Sequence, residues 1–360
     1  MSRDSSRPSA SGAGADLDWC HEAVQGVSRT FALTVDVLDE PMASYICVGY
    51  LVCRVADTVE DAEHVPPAEQ ARLLRRYDRV LDPDDDADVT EFVDAVEPHV
   101  PDETDRNDDW EVVARSERVV RTFESLPPDV RRAVVPPARE LVQGMATFVD
   151  RYAEEGGLRI GDLAELEEYC YYAAGTVGHL VTNLLVRGDV AAERRERLYD
   201  TAEEFGLLLQ LVNVAKDVYV DYTEENNVYL PAEWLAAEGV PQEEVIADEH
   251  ESGAAAVVRR VATHARSFLD EAQTYLEAVP ATDGNRLAAW AIPFLLAVGT
   301  LRELLARPED ALSPRGVKVS REEVLAVVST MTAAGRRDRL GEMRSAIASE
   351  PLHRVSEPAD

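Results

Sequence analysis

Apolar positions recur with helical spacing along nearly all of this chain, and no run alternates in the way that marks a strand. The spacing predicts helices near 17–36, 42–62, 67–81, 110–124, 129–155, 162–187, 192–221, 254–278, 286–306 and 321–349. The expected architecture is one all-α domain over 17–350, with tails at 1–16 (Ser/Gly/Ala-rich, expected to be disordered) and 351–360. Pro66-Pro67, Pro127-Pro128 and Gly156-Gly157 mark loops but no domain linker. Between Asp82 and Asp109 thirteen residues are acidic and one is Arg, so this segment reads as a solvated excursion and not a site. The most apolar run, Leu287 to Leu301, has fifteen residues and contains Pro293. That is too short to cross a bilayer and reads as a buried helix of a soluble protein.

Charge narrows the function classes. With 36 basic and 69 acidic residues the net charge is −33, which argues against nucleic acid and anionic lipid as partners. Acidity this uniform resembles adaptation to high salt, where screening relieves self-repulsion. Lys is almost absent, with only Lys216 and Lys318 present. Cys20, Cys47, Cys53 and Cys170 lack metal-type spacing, and Cys47, Cys53 and Cys170, in apolar helical context, read as reduced core residues of a cytoplasmic protein.

Against this background two acidic groups stand out, because each ends an acid-free apolar helix. Asp57-Thr-Val-Glu60-Asp61 follows sixteen residues without Asp or Glu, Pro41 to Ala56. Asp217-Val-Tyr-Val-Asp221 follows twelve, Phe205 to Lys216. Residues four apart share a helix face with Cβ atoms roughly 5–6 Å apart. Two such ledges facing one cavity suit Mg²⁺, which takes a few carboxylates, waters and phosphate oxygens. Arg54, three residues before Asp57, and Arg29, in Ser28-Arg-Thr-Phe31, read equally as salt-bridge partners or as diphosphate clamps. Lys216 beside Asp217 suggests a phosphate contact. The small residues at 173–178 allow close helix approach or room for a ligand.

Several strings together resemble the squalene and phytoene synthases, the head-to-head isoprenyl diphosphate synthases, from about Cys20 to about Val328. They are Ser28-Arg-Thr-Phe31, Tyr50-Leu-Val-Cys-Arg54-Val-Ala-Asp57-Thr-Val-Glu-Asp61, Tyr169-Cys-Tyr-Tyr-Ala-Ala-Gly175-Thr-Val-Gly178, Gly206-Leu-Leu-Leu-Gln210-Leu-Val-Asn213-Val-Ala-Lys-Asp217 and Tyr229-Leu-Pro231. The spelling Asp-Thr-Val-Glu-Asp, with Ala291-Ile-Pro293 and Val317-Lys-Val319, is nearer squalene synthases. Tyr171-Tyr172 with Thr176, and Tyr229-Leu-Pro231, are common in phytoene synthases.

The resemblance implies an isoprenoid-synthase-type helical bundle with a central active-site cavity. It implies Mg²⁺ on Asp57, Glu60, Asp61, Asn213, Asp217 and Asp221, and diphosphate or NADPH phosphates on Arg29, Arg54, Lys216 and Lys318. Tyr172 would handle the proton lost in cyclopropane closure, and Phe31 would line the carbocation pocket. The implied reaction joins two farnesyl diphosphates through presqualene diphosphate to squalene, with NADPH as reductant and transient membrane contact for product release. The alternatives are condensation of two geranylgeranyl diphosphates without NADPH and, from another class, a non-catalytic assembly member of the family. Three departures bear on the cofactor: Lys216 in place of an Arg, Asn226-Asn227 in place of Gly-Arg, and Ser320 in place of a second basic residue after Lys318.

Overall fold

Ser28 divides the first expected helix in two. Its backbone is extended (φ −157°, ψ 105°) and its hydroxyl accepts from Phe31 N at 3.2 Å, so it caps a new helix. The computed structural model describes residues 10–280, 285–333 and 339–354. The helices are α1 (Ala10–Val27), α2 (Arg29–Val37), α3 (Met42–Glu60), α4 (Pro67–Leu81), α5 (Val89–Val96), α6 (Asp108–Ala114), α7 (Ser116–Ser125) and α8 (Pro128–Arg151). They continue as α9 (Leu163–Cys170), α10 (Thr176–Leu185), α11 (Ala192–Asp200), α12 (Ala202–Lys216), α13 (Val218–Glu224) and α14 (Ala232–Ala237). The last are α15 (Glu251–Ser267), α16 (Leu269–Ala278), α17 (Arg286–Ala306), α18 (Arg321–Thr332) and α19 (Leu340–Ser349). Among the described residues no strand forms, and a single isolated bridge joins Arg159 and Val228.

Other expectations change as well, and the helices expected at 110–124, 192–221 and 254–278 are each divided. The start of α1 at Ala10 makes part of the expected tail helical, and Asp16 pairs with Arg118 at 2.6 Å. The acidic segment 82–109 holds α5, whose Val89, Phe92 and Val96 are buried under a cap by Asp88. Phe92 packs on Tyr77 with ring centroids 4.9 Å apart. Its apolar positions keep the spacing of a helix face, which the surrounding acids obscured. The helix expected at 321–349 ends at Thr332 and resumes at Leu340, with 334–338 outside the described residues. The expectation of a buried helix at 287–301 holds: the run belongs to a helix of 21 residues, long enough to cross a membrane, and 83% of its apolar window is buried. It is a core helix of this fold.

The core is one continuous cluster of buried side chains. Within it α3 packs on α1, α4, α6, α7 and α8, while α12 packs on α10, α15, α16 and α17. α17 in turn packs on α2, and α8 on α10. Small residues set the closest approaches. A Cβ on Gly206 would lie 2.3 Å from Ala174 O, and one on Gly178 would lie 2.2 Å from Ala202 O. Gly206→Ala is therefore expected to force α12 away from the 171–178 segment at a cost of roughly 1–3 kcal/mol. Thermal denaturation should show it as a lowered midpoint with retained helicity in the folded state.

Candidate active site

The helices leave a cavity of about 690 Å³ between α3 and α12, walled also by α2, the 169–181 segment and α17. Asp57, Glu60 and Asp61 at the end of α3 reach it from one side. Asn213, Asp217 and Asp221 reach it from the other, where α12 ends at Lys216 and α13 begins at Val218. The two sequence-predicted ledges thus share one cavity. Away from the carboxylates the wall turns apolar, with Ile46, Val181, Phe205, Leu209, Trp290 and Leu296 among its residues.

The cations expected to meet phosphate are partly engaged. Arg54 pairs with Asp57 at 3.8 Å and donates from Nε to Asp109 Oδ1 at 2.7 Å. Lys216 donates to Asp217. Arg29 is exposed on the cavity wall, in the first turn of α2, and makes no ion pair among the described residues. Phe31 also lines the cavity and stacks on Tyr50, ring centroids 4.0 Å apart and 19° from parallel. Asp109 therefore belongs to the edge of the site, contrary to the expectation for segment 82–109.

A family model for squalene/phytoene synthases matches residues 24–323, the stretch that carries every one of these groups. The chain belongs to this family. It is 24% identical to a squalene synthase of Candida albicans over 300 residues, covering 82% of this chain and 63% of that protein. It is 26% identical to a squalene synthase of Botryococcus braunii over 300 residues, covering 81% of this chain and 59% of that one. It thus matches about three fifths of the length of these relatives. Among solved structures, TcSQS bound to the ligand BPH1237 superposes with a TM-score of 0.72 at 24% identity, covering 93% of this chain and 98% of that one. A dehydrosqualene synthase in complex with a ligand gives 0.61 at 21% identity, covering 90% and 97%.

Two residues assigned from the family strings lie elsewhere. Tyr172 is not on the cavity wall. Its ring covers Gly144, where a Cβ would come within 2.1 Å, and meets Phe148 edge-on. The cause is a π-helical turn over 171–175, closed by Thr176 N donating to Tyr171 O, which widens the helix between α9 and α10. Tyr169 lines the cavity instead. Its hydroxyl lies 3.4 Å from Glu60 Oε2 and 3.0 Å from the hydroxyl of Tyr229, which accepts from Asn227 Nδ2 at 3.1 Å. Lys318 is likewise off the wall, exposed on the loop before α18, and Ser320 is the N-cap of that helix.

The Asn226-Asn227 departure also has a structural role. Asn226 adopts a left-handed conformation (φ 56°) and accepts from Arg159 at 2.7 Å through Oδ1. Buried Asn227 accepts from Leu158 N at 2.8 Å. The pair buttresses the turn after α13 and ends a hydrogen-bonded chain from Asn227 through Tyr229 and Tyr169 to Glu60. Sequence reasoning assigned no role to Tyr169, Tyr229, Tyr50, Asp109 or Glu225, all but Asp109 on the cavity wall. For Glu225 a signal existed: it extends the four-residue spacing 213, 217, 221 by one more step.

Six carboxylates line the cavity against three cations, Arg29, Arg54 and Lys216. Burial raises the Asp57 carboxyl from 3.8 to about 7, opposed by Arg54 and reinforced by Asp61 and Asp109. Burial likewise lifts Glu60 and Asp221 well above the usual carboxylate range, and Glu225 to about 9. Glu60 is buried, and its Oε1 has no hydrogen-bond partner. Hard, mostly anionic oxygen donors short of positive charge are the chemistry Mg²⁺ requires, so the residues fit that ion.

These shifts fix a pH dependence. A carboxyl raised on folding contributes stability that is fully present below its unfolded value and lost as pH rises through its folded value. Metal-free protein is therefore expected to lose stability through the Asp57 window, from about pH 3.8 to about 7. The Mg²⁺-induced rise in melting temperature should grow over the same window, with protons released on binding. Thermal melts with and without Mg²⁺ across pH, and calorimetry in buffers of different ionisation enthalpy, check both.

Proposed function

We propose that the protein joins two farnesyl diphosphates head to head, through presqualene diphosphate, to squalene, using Mg²⁺ and then NADPH. The observation that carries this reading is the meeting of both acidic ledges in one cavity whose remaining wall is apolar. Its 690 Å³ lies in the upper part of the usual range for small-molecule sites, about 300–1,000 Å³, and suits long apolar chains with charged heads.

Asp57, Glu60, Asp61, Asn213, Asp217 and Asp221 would hold Mg²⁺, whose contribution is to neutralise and orient diphosphate as it leaves. Around it the chain's own residues do the rest. Arg29 and the first backbone N–H groups of α2 favour an anionic diphosphate at the cavity wall. Arg54, aimed by Asp109, and Lys216 can each turn from an aspartate toward phosphate oxygens. Phe31 and Tyr50 present aromatic faces to an allylic cation. The apolar wall excludes the water that would quench that cation.

The proton lost on ring closure is assigned to Tyr169, replacing Tyr172. Its hydroxyl stands where the apolar wall meets the carboxylates, within reach of Glu60. NADPH has less to hold it, because Lys318 lies off the cavity wall and Arg29 is the exposed cation remaining there.

Asp61→Asn and Asp217→Asn are expected to abolish pyrophosphate release from farnesyl diphosphate while leaving the circular dichroism unchanged, and wild-type turnover in either would overturn the metal assignment. Tyr169→Phe should lower turnover by about 10²–10⁴-fold, the usual range for losing a proton-transfer group, whereas Tyr172→Phe should stay within a few-fold. Product identification with C15 and C20 diphosphates tests the substrate and the reductant together. Squalene formed from C15 substrate only when NADPH is present supports the proposal. Use of the C20 substrate alone, indifferent to NADPH, would assign the phytoene-type reaction instead.

A further inference from the structure

Glu225 lies one step beyond Asp221 on the same four-residue spacing, at the C-terminal end of α13, and lines the main cavity. It is held on a braced turn. Asn227 N donates to Asp221 O at 2.8 Å, Asn227 Oδ1 accepts from Leu158 N at 2.8 Å, and Arg159 donates to Asn226 Oδ1 at 2.7 Å. Gly157 completes the brace, since a Cβ there would lie 2.1 Å from Asn226 O. A loose surface carboxylate would need none of this.

Glu60 belongs to the other ledge and is 3% exposed. Its Oε2 faces the Tyr169 hydroxyl, while its Oε1 meets no hydrogen-bond donor among the described residues, only the neighbouring Asp61 carboxyl. Glu60 and Glu225 line not only the main cavity but also a second, small one of about 20 Å³, together with Gln70, Tyr152 and Asn227. That volume is enough for about one water molecule. A buried carboxylate oxygen without a hydrogen bond is costly unless something cationic satisfies it. Here a second carboxylate shares both cavities with it.

We propose that Glu60 and Glu225 form a deep divalent-cation subsite spanning the two ledges, with the small chamber holding one of the ion's water ligands. Mg²⁺ fits this arrangement because it is bound through one or two carboxylates and keeps several waters. The subsite adds Glu225 to the metal-binding set and gives Glu60 Oε1 its ligand. It deepens the metal-dependent reading above and rests on it.

Mn²⁺ serves as the probe, its free concentration followed by electron paramagnetic resonance, with and without inorganic pyrophosphate. Glu225→Gln is expected to lose one bound Mn²⁺ or to weaken one site at least tenfold. Glu60→Gln should lose the same site, and the double variant should lose no more than either single one, because the two act on one ion. Glu225→Asp should retain the site with reduced affinity, and it replaces Glu225→Gln if the latter fails to fold by circular dichroism. Asp217→Asn separates the two levels. If it weakens Mn²⁺ binding while Glu225→Gln matches wild type within twofold under both conditions, the subsite is overturned and the metal site stands. If neither variant differs from wild type, or wild type binds no Mn²⁺ under either condition, both readings are overturned.

Discussion

Six carboxylates facing one cavity inside an apolar bundle are the constraint to which the rest of this structure answers. Like charges brought close together out of water repel, and each also loses hydration, so both effects oppose ionisation at the site. Arg54 and Lys216 offset part of this by pairing with Asp57 and Asp217. Protonation absorbs more of it, as the raised carboxyls show. What remains is a demand for positive charge that Arg29, Arg54 and Lys216 do not meet.

The backbone is shaped to present those groups. α3 ends with Asp61 as its C-cap, and α12 stops so that Asp217 sits at the joint with α13. The turn after α13 is braced by Asn226, Asn227 and Arg159, so residues that differ from the usual family pattern serve rigidity here. On the opposite wall the π-helical turn at 171–175 decides which tyrosine meets the carboxylates. Gly178 and Gly206 let helix backbones approach closely enough to seal the apolar end. The apolar end of the cavity and its carboxylate end are therefore products of one set of helix crossings.

Much of this was legible in one dimension. The helical period showed an all-α fold, because burying one face of a helix imposes a spacing that survives any choice of loop. The ledges were legible because carboxylates ending apolar helices contrast with their surroundings, even in a chain with 69 acidic residues. The same acidity hid α5 and Asp109, since apolar positions and a site residue were submerged among acids in segment 82–109. The helix breaks at Ser28 and Thr332 were missed because periodicity averages over a capping residue or a short gap.

Which residues share a cavity could not be read along the chain. Tyr172 and Tyr169 sit in one string, where the family resemblance favours Tyr172, and only the widened turn at 171–175, packed against Gly144 and Gly206, turns Tyr169 inward and Tyr172 outward. Lys318 lies off the wall because the loop before α18 leaves it exposed. Glu225 continued a visible spacing, but its place beside Glu60 depends on a brace between segments about 70 residues apart, Asn227 to Leu158. Sequence alone determined the all-α character, the family and the two acidic ledges, because those rest on local spacing and on the kinds of residue present. Tertiary structure decided which tyrosine meets the carboxylates, the surroundings of the cations and the place of the sixth carboxylate, because those rest on contacts between residues that the chain order keeps apart.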